Sequence, residues 1–464
     1  MKRYFIILTL PSLLFTTLTA QPITDSLKII QYKEVAQQIV SSALKERKGY
    51  EALKNFCRIG PRLSGSRNSL IAINWAKNKM IELGFDSVWL QPVMVPHWER
   101  GTIQKAMIMN SKKFNGTELN ILALGGSIGT PTEGIAANVI EVKSFAELEK
   151  RKDEAKGKII FFSRAVDQSL LNTFRGYGSA VDQRVYGAIE GAKYDAVGVI
   201  VRSVTTKYDN VPHTGVMLYV DSLPGIPGVT VGYEDADLLS EALKEDPNLQ
   251  LALQLNCKTL PDAKSYNVIG EIRGSEFPDE IIVVGAHLDS WDVGDGAHDD
   301  GAGCMQTIEV VDLFKRLNIK PKRTIRVVLF INEENGSRGA KEYGVYAESS
   351  EQIHLAAIES DRGAFNPVGF NVDTDSTKLI EKIESWLPYL KLAGISWVRK
   401  GGSGADISKI INAKLLIGYV PDNQRYFDIH HSSSDVFEEV HPREFELGTA
   451  AMAILVYLLS EEGL

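Results

Sequence analysis

The chain has 464 residues, 44% of them hydrophobic and 24% charged, which is the composition of a globular protein and excludes disordered, collagen-like and coiled-coil classes. Its 51 Lys and Arg against 59 Asp and Glu give a net charge of -8, which offers no basic surface for nucleic acid or anionic lipid. Three cysteines are too few for a disulfide-stapled miniature fold or a cysteine-rich metal domain, so a metal site would have to use histidine and carboxylate ligands.

The first twenty residues have the pattern of a secretory signal peptide. A basic start at Lys2 and Arg3 precedes an apolar stretch over residues 4–15, and small Ala20 supplies a cleavage position before Gln21. The alternative, a membrane anchor, is disfavoured because the apolar stretch is shorter than the roughly 20 residues that a span requires. We therefore expect an exported protein, periplasmic or extracellular, with no membrane association after residues 1–20 are removed.

Two amphipathic helices and one edge strand are predicted next. Helical periodicity covers residues 26–45 and 68–83, and Gly84 is suited to end the second helix. The turn-rich stretch from Gly60 to Ser66 lies between them. Residues 87–95 have a strand pattern, which Pro92 restricts to the edge of a sheet because proline cannot donate to the hydrogen-bond ladder.

The pattern changes at about residue 118. Short apolar runs separated by glycines alternate with predicted helices at 182–192 and 233–244, and this block ends near Pro261. A second and stronger alternation starts at Tyr266, with strands at 281–286 and 324–331 followed by helices at 302–317 and 338–347. The predicted fold class is therefore α/β, with a mostly parallel central sheet flanked by helices and a second α/β region inserted into it.

Polar side chains recur where the predicted strands end, which is where parallel sheets bind ligands. A pair of divalent metal ions can be held by two end ligands each and a carboxylate between them. Asp299 would be the bridge, and zinc is favoured over magnesium because imidazoles take part. The two end sets would be His287 with Asp361, and Glu334 with His431.

Each of these residues also has an ordinary structural interpretation. Glu333 and Glu334 could form a solvated charge pair, and Asp289 could cap a turn instead of orienting the imidazole of His287. Neighbouring residues of a strand point to opposite faces, so we expect at most one of His430 and His431 to face a given metal. The whole set is harder to obtain by chance than any one member.

At these residues the chain resembles the secreted peptidases with two co-catalytic zinc ions, the clan of bacterial leucyl-type aminopeptidases. The resemblance spans nearly the whole mature chain and is strongest toward the carboxypeptidase Q subfamily. The motifs that carry it are His287-Leu288-Asp289, Asp299-Asp300-Gly301-Ala302-Gly303, Glu333-Glu334, Asp361, His430-His431 with Asp435, Gly60-Pro61-Arg62-Leu63-Ser64-Gly65-Ser66 and Val95-Pro96-His97-Trp98-Glu99-Arg100-Gly101.

The resemblance implies a zinc exopeptidase fold, two Zn²⁺ per chain and roles for the site residues. Glu333 would be the general base that activates a metal-bridging hydroxide, and Glu334 would be a ligand. Asp289 would assist catalysis beside His287. His430 stands where some clan members have a tyrosine, so an oxyanion-stabilising role for His430 is a hypothesis. Asp406 lies where family members shape the substrate pocket, and it could either hold a free α-amino group or lie in a solvated turn.

The resemblance also implies a domain organisation and a substrate class. Residues 21–117 and 262–464 would form the catalytic domain, and residues 118–261 would be a protease-associated-like insert that acts as a lid or only stabilises the fold. The expected activity is hydrolysis of dipeptides or short peptides, with a homodimer known in the family. The alternatives are an aminopeptidase on longer peptides, a glutaminyl cyclase, which needs one zinc, and an inactive binding protein on the same fold.

Overall fold

The computed structural model describes residues 21–464, with side chains described from residue 27. The predicted signal peptide at residues 1–20 lies outside the described residues. Within residues 21–464, sixteen strands form two eight-stranded sheets. The strands are β1 Ser87–Glu99, β2 Gln104–Met109, β3 Glu118–Leu119, β4 Ile121–Ala123, β5 Ile135–Val142, β6 Ile159–Phe162, β7 Gly198–Arg202, β8 Gly228–Val231, β9 Gln250–Leu255, β10 Lys258–Ile272, β11 Phe277–His287, β12 Arg323–Phe330, β13 Ile353–Glu359, β14 Pro367–Asp373, β15 Trp397–Lys400 and β16 Leu416–Pro421.

In the described part of the chain, thirteen α-helices accompany the two sheets. They are α1 Gln21–Glu46, α2 Lys48–Cys57, α3 Arg67–Glu82, α4 Phe145–Lys150, α5 Lys152–Ala155, α6 Thr173–Gly178, α7 Val181–Ala192, α8 Tyr233–Glu245, α9 Ala302–Arg316, α10 Arg338–Ser349, α11 Thr377–Glu384, α12 Leu387–Leu390 and α13 Pro442–Glu462. No helix among the described residues is long and apolar enough to span a bilayer.

The first sheet contains the strands whose ends were predicted to carry the site. Its order is β1-β10-β12-β11-β13-β16-β14-β15, and its four central strands, β12, β11, β13 and β16, run parallel to one another. Antiparallel neighbours lie on both sides of this centre. The predicted α/β class is therefore correct, and the sheet is mixed, with its parallel strands in the middle.

Burial on both faces explains the continuous apolar runs of the central strands. Every residue of β12 is buried, including Arg326, whose guanidinium donates to Glu271 Oε2 at 2.8 Å. Helices α1, α2, α9 and α13 contribute to the core on one face, and α10 packs on the other. Strand β1 pairs only with β10 and forms the edge, as Pro92 predicts.

Six of the thirteen described α-helices agree with the sequence pattern. Helices α1, α3, α7, α8, α9 and α10 form where periodicity predicts them, and the Ser66 hydroxyl caps α3 by accepting from the Ser69 amide at 3.1 Å. Of the described helices that the periodicity does not predict, α13 is the longest. Nearly every residue of α13 from Phe445 to Ser460 is buried, so its sequence lacks the polar stripe that marks an amphipathic helix.

The second sheet has the order β3-β2-β9-β5-β6-β7-β8-β4 and its own apolar clusters. It begins at Gln104, ahead of the boundary predicted at residue 118, because β2 pairs with β9 over Gln104–Met109. Helix α7 forms despite its glycines, and they let it approach the sheet closely: a Cβ at Gly187 would lie 3.1 Å from the Phe162 ring.

Candidate active site

The predicted site residues gather at the carboxyl ends of the central parallel strands. His287 is the last residue of β11, Glu333 and Glu334 follow β12, and Asp361 follows β13. The register aligns these ends, with His287 opposite Phe330 and Gly285 opposite Glu359. The parallel registry alone therefore brings His287, Glu333 and Asp361, which are 46 and 28 residues apart in the chain, to one rim of the sheet.

Asp299 lies between two imidazoles. Its Oδ1 is 3.1 Å from His287 Nε2, and its Oδ2 is 3.3 Å from His431 Nε2. Each imidazole has a second carboxylate of its own: Asp361 Oδ1 is 3.4 Å from His287 Nε2, and Glu334 Oε2 is 3.0 Å from His431 Nε2. The result is two donor sets that share one carboxylate, which is the arrangement expected for a bridging ligand.

His430 joins this group, contrary to the expectation that the two histidines face opposite ways. They do not lie in a strand: they follow a short 3₁₀ turn at Tyr426–Asp428, and His431 has a left-handed φ of 59°. The two rings stack with centroids 3.5 Å apart, and His430 Nε2 is 3.6 Å from Asp299 Oδ2. Asp299, His430 and His431 are thus close enough to share a cation, as are His287, Asp299 and Asp361.

The carboxylates shape the electrostatics of the rim. Burial alone would lower the pKa of His431, but Glu334 and Asp299 raise it to about 10. Burial raises the pKa of Glu333 well above the usual range, and the nearby Asp361 and Glu334 carboxylates act in the same direction. Negative charge held in a buried cleft gives this rim an affinity for cations.

Asp289 supports the rim differently from the prediction. His287 Nδ1 donates to the main-chain oxygen of Asp289 at 2.9 Å, whereas the Asp289 carboxylate is 4.0 Å from that nitrogen. The carboxylate instead accepts from the amides of Asn332 at 2.7 Å and Glu333 at 3.1 Å. The backbone of Asp289 therefore orients the imidazole, and its side chain holds the Glu333–Glu334 segment.

Two further aspartates hold the backbone of the predicted ligands. Asp300 accepts from the His287 amide at 3.0 Å and from the Gly303 amide at 3.1 Å. Asp435 accepts from the amides of His298 at 2.7 Å and Asp299 at 3.1 Å. Both residues belong to motifs that the sequence singled out, but their spacing did not reveal that they bind main-chain amides.

Arg62, in the turn-rich motif before α3, holds the loop that follows β11. It is fully buried, and its guanidinium donates to the main-chain oxygens of Leu288 at 2.7 Å, Asp295 at 2.6 Å and Gly296 at 2.8 Å. Ser64 of the same motif donates to Asn335 Oδ1 at 2.9 Å. The motif therefore supports the loops that follow β11 and β12, which carry Asp299 and Glu334, without entering the cleft.

The second sheet also contributes to the site. The Thr214 amide donates to the main-chain oxygen of His431 at 2.8 Å, and the Thr214 oxygen lies 3.3 Å from His431 Nδ1. His213 Nδ1 contacts the main-chain oxygen of His430 at 2.6 Å. Sequence reasoning missed these contacts because no motif marks a partner 217 residues away.

The cleft in front of the rim has a volume of about 450 Å³. The second-sheet region closes one side of it with Phe174, Tyr177, Arg184, Val216 and Leu218, and the first contributes the predicted site residues with Tyr426 and Phe427. Asp406 fits neither interpretation given above, because it is 1% exposed and its carboxylate has no hydrogen-bond partner. It therefore lies behind the rim and is not available to a substrate amine.

Comparison with known proteins identifies the family. The profile of Peptidase family M28 matches residues 267–455, which include every predicted site residue. Carboxypeptidase Q of Xenopus laevis is 38% identical over 451 residues, covering 94% of this chain and 91% of that protein. The chain belongs to peptidase family M28. As an M28 member it is a metallopeptidase, and its substrates are peptides.

Solved structures of the family share its fold. The M28 peptidase precursor of Shewanella amazonensis superposes with a TM-score of 0.88 at 33% identity, covering 93% of this chain and 97% of that one. BSAP, a zinc aminopeptidase from Bacillus subtilis, superposes with a TM-score of 0.62 at 20% identity, covering 88% of this chain and 95% of that one. The M28 fold therefore extends over nearly the whole described chain.

Proposed function

We propose that this M28 peptidase is a zinc-dependent exopeptidase that hydrolyses dipeptides or short peptides. The observation that carries the proposal is the position of Asp299 between His287 and His431, each with a further carboxylate within 3.4 Å. Two donor sets with a shared carboxylate suit two cations, and the imidazoles favour zinc over magnesium or calcium. His287 and Asp361 would hold one Zn²⁺, and Glu334 and His431 would hold the other. Asp299 would be a ligand of both ions.

Bound zinc would lower the pKa of a water held in the cleft and polarise the scissile carbonyl. Glu333 lines the cleft, and its burial raises its pKa, so its carboxylate is suited to take the proton of the water and return it to the leaving amine. His430 also lines the cleft and would donate to the oxygen that becomes negatively charged. Asp289 would keep Glu333 in place through its amide.

The size of the cleft supports short substrates. Its volume of about 450 Å³ suits a few residues of peptide, and side chains of the second-sheet region, including Tyr177 and Leu218, line one side of it. We propose that residues 118–261 act as a protease-associated-like insert that positions the substrate, with residues 21–117 and 262–464 as the catalytic domain. The leader-like residues 1–20 support an exported protein, and the family resemblance supports a homodimer.

The test combines metal analysis of the purified protein with hydrolysis of a dipeptide panel by the wild type and Glu333→Gln. We expect two zinc ions per chain in both proteins and a loss of turnover of roughly 10²- to 10⁴-fold in the variant, because only proton transfer is removed. Glu342→Gln, at an exposed position of α10, is the matched control and should keep full activity.

Different outcomes distinguish the alternatives. Absence of bound metal at neutral pH, or full activity of Glu333→Gln, would refute the mechanism. Metal binding without hydrolysis of any peptide would indicate an inactive binding protein. Preferred cleavage of peptides longer than dipeptides from the amino end would indicate an aminopeptidase, and N-terminally and C-terminally blocked dipeptides in the same panel separate these cases.

A further inference from the structure

Arg184 is a buried cation at the wall of the cleft. It lies on α7 in the second-sheet region, is 5% exposed and lines the cleft. Its Nη1 is 3.3 Å from the main-chain oxygen of Thr214 and 3.5 Å from His431 Nδ1, and its guanidinium lies 5.5 Å from the centre of the Tyr177 ring. Arg184 is therefore beside a predicted metal ligand although it comes from the other sheet.

The guanidinium has no anionic partner among the described residues. Its buried Nε has no hydrogen-bond partner, and no carboxylate oxygen lies within 4.0 Å of it. The other buried arginines are satisfied: Arg62 by three main-chain oxygens, and each of the rest by a carboxylate, as Arg100 pairs with Asp292, Arg202 with Asp237, Arg323 with Glu280 and Arg326 with Glu271. Burying a charge without a partner is unfavourable, so the position of Arg184 calls for an anionic ligand.

The surroundings indicate which anion fits. Arg184 is the one arginine, and there is no lysine, among the described residues that line the cleft, and the carboxylates there belong to the predicted metal site or its general base. The Tyr177 ring packs beside the guanidinium, and Phe174 and Phe427 also line the cleft, so an ion pair formed here would lie in less polar surroundings than water. Its planar fork matches a carboxylate in a bidentate contact.

We propose that Arg184 binds the free C-terminal α-carboxylate of the substrate and so directs cleavage to the last peptide bond. A residue spans roughly 3.3 to 3.6 Å of extended chain. If the scissile bond is held at the rim, the C-terminal carboxylate one residue further along is therefore close enough to contact Arg184 beside His431. Arg184 is then a specificity-determining residue supplied by the second-sheet region. This inference rests on the proposed exopeptidase function and deepens it.

The test compares a dipeptide with a free carboxylate and the same dipeptide as its C-terminal amide. For the wild type, kcat/KM should favour the acid roughly 10- to 100-fold, the usual effect of a charge-assisted hydrogen bond. Arg184→Met should lose this preference, mainly through a higher KM for the acid. Arg175→Met, at an exposed position of α6, is the matched control and should keep the preference.

Several results would overturn the inference. If Arg184→Met lowers kcat for the acid and the amide equally, Arg184 acts on the developing oxyanion or on the fold. An equal kcat/KM for acid and amide in the wild type would also refute it. If Arg184→Met does not fold, Arg184→Lys tests the same point, because losing the bidentate fork should reduce the ratio of acid to amide, and an unchanged ratio would refute the inference.

A binding measurement separates this inference from the proposed function. Calorimetric titration with a dipeptide analogue whose amide is reduced to an amine needs no turnover. Two forms of this analogue are compared, one with a free C-terminal carboxylate and one with a C-terminal amide. The wild type should bind the carboxylate form more tightly than the C-terminal amide form, and Arg184→Met should bind the two forms equally. A protein that hydrolyses nothing but shows this difference would refute the exopeptidase function and support the role of Arg184, and equal binding of acid and amide by the wild type would refute that role.

Discussion

Single side chains determine how accurately the loops of the active site are held. Arg62 satisfies three main-chain oxygens of the loop that follows β11, and it does so from a segment outside the cleft. Asp289, Asp300 and Asp435 do the same for main-chain amides at the rim. Positions that never touch substrate therefore control the geometry of those that do.

We expect Arg62→Met to destabilise the fold by about 3 kcal/mol or more, because it leaves buried carbonyl groups without donors. Arg62→Lys should recover little of the lost stability, since the compact ammonium group cannot donate to all three oxygens as the planar guanidinium does. Thermal or denaturant unfolding measures the effect, and Arg58→Met at an exposed position is the control. Equal stability of both variants would contradict the role given to Arg62.

The stacked histidines should differ in function. His431 contacts both Asp299 and Glu334, so His431→Ala should lose bound metal and activity together. His430→Ala should keep the metal and lower kcat by roughly 10²- to 10³-fold, as removal of an oxyanion donor does. Metal content and steady-state kinetics of the two variants give the answer, and unchanged turnover in His430→Ala would exclude the oxyanion role.

At the scale of elements, a pair of buried glutamates joins α9 and α13. Glu309 receives a hydrogen bond from Arg316 at 2.8 Å, and Glu446 receives one from the Tyr50 amide at 3.1 Å. The Oε2 atom of each is buried without a partner. Burial raises the pKa of both groups, and for Glu446 the neighbouring Glu309 raises it further, so the folded protein keeps protons here that the unfolded chain releases.

Stability should therefore fall as the pH rises. A glutamate in the unfolded chain releases its proton at about pH 4.3. Below that pH the raised pKa values make their full contribution to the free energy of unfolding. This contribution is lost progressively as the pH rises toward the alkaline range. Glu446→Gln cannot lose a proton, and we expect it to be more stable than the wild type by about 1 kcal/mol or more above neutral pH. Denaturant unfolding at several pH values tests this.

The control for this experiment is Glu438→Gln, which changes an exposed glutamate close to α13. It should leave the pH dependence of the free energy of unfolding unchanged. If the free energies of unfolding of the wild type and Glu446→Gln change with pH in the same way, Glu446 does not keep an extra proton in the folded state.

At the scale of the whole molecule, the active site forms where the two sheets meet. Thr214 and His213 hold the backbone of His431 and His430, and the Thr205 hydroxyl donates to the main-chain oxygen of Phe427 at 2.7 Å. The predicted ligands come from strand ends far apart in the chain. A metal bound there would connect these segments, so binding should stabilise the entire fold.

Removal of metal by a chelator should lower the thermal midpoint by several degrees, and added zinc should restore it, because only the folded state assembles the donor set. Glu333→Gln should show the same shift, since Glu333 is not a predicted ligand. His431→Ala should show little or none. An identical midpoint with and without chelator in the wild type would contradict a structural contribution of the metal.

Much of the first sheet could be predicted from sequence because strands covered on both faces must be apolar throughout, as β11 and β12 are. The predicted site residues could be selected because chemistry restricts them to imidazole and carboxylate groups at strand ends. Helix α13 escaped prediction because a helix buried on all sides has no polar period. The stacking of His430 on His431 escaped it because a left-handed turn replaced the assumed strand.

By itself, the sequence determined the α/β class, the residue types of the site and their order along the chain, since these depend on local periodicity and on ligand chemistry. Only the tertiary structure decided that His213 and Thr214 hold the backbone of His430 and His431, that Arg62 supports the loops, and that Arg184 reaches the cleft from the other sheet. These contacts join residues far apart in the chain. Their geometry is set by how the sheets pack, and no local pattern records it.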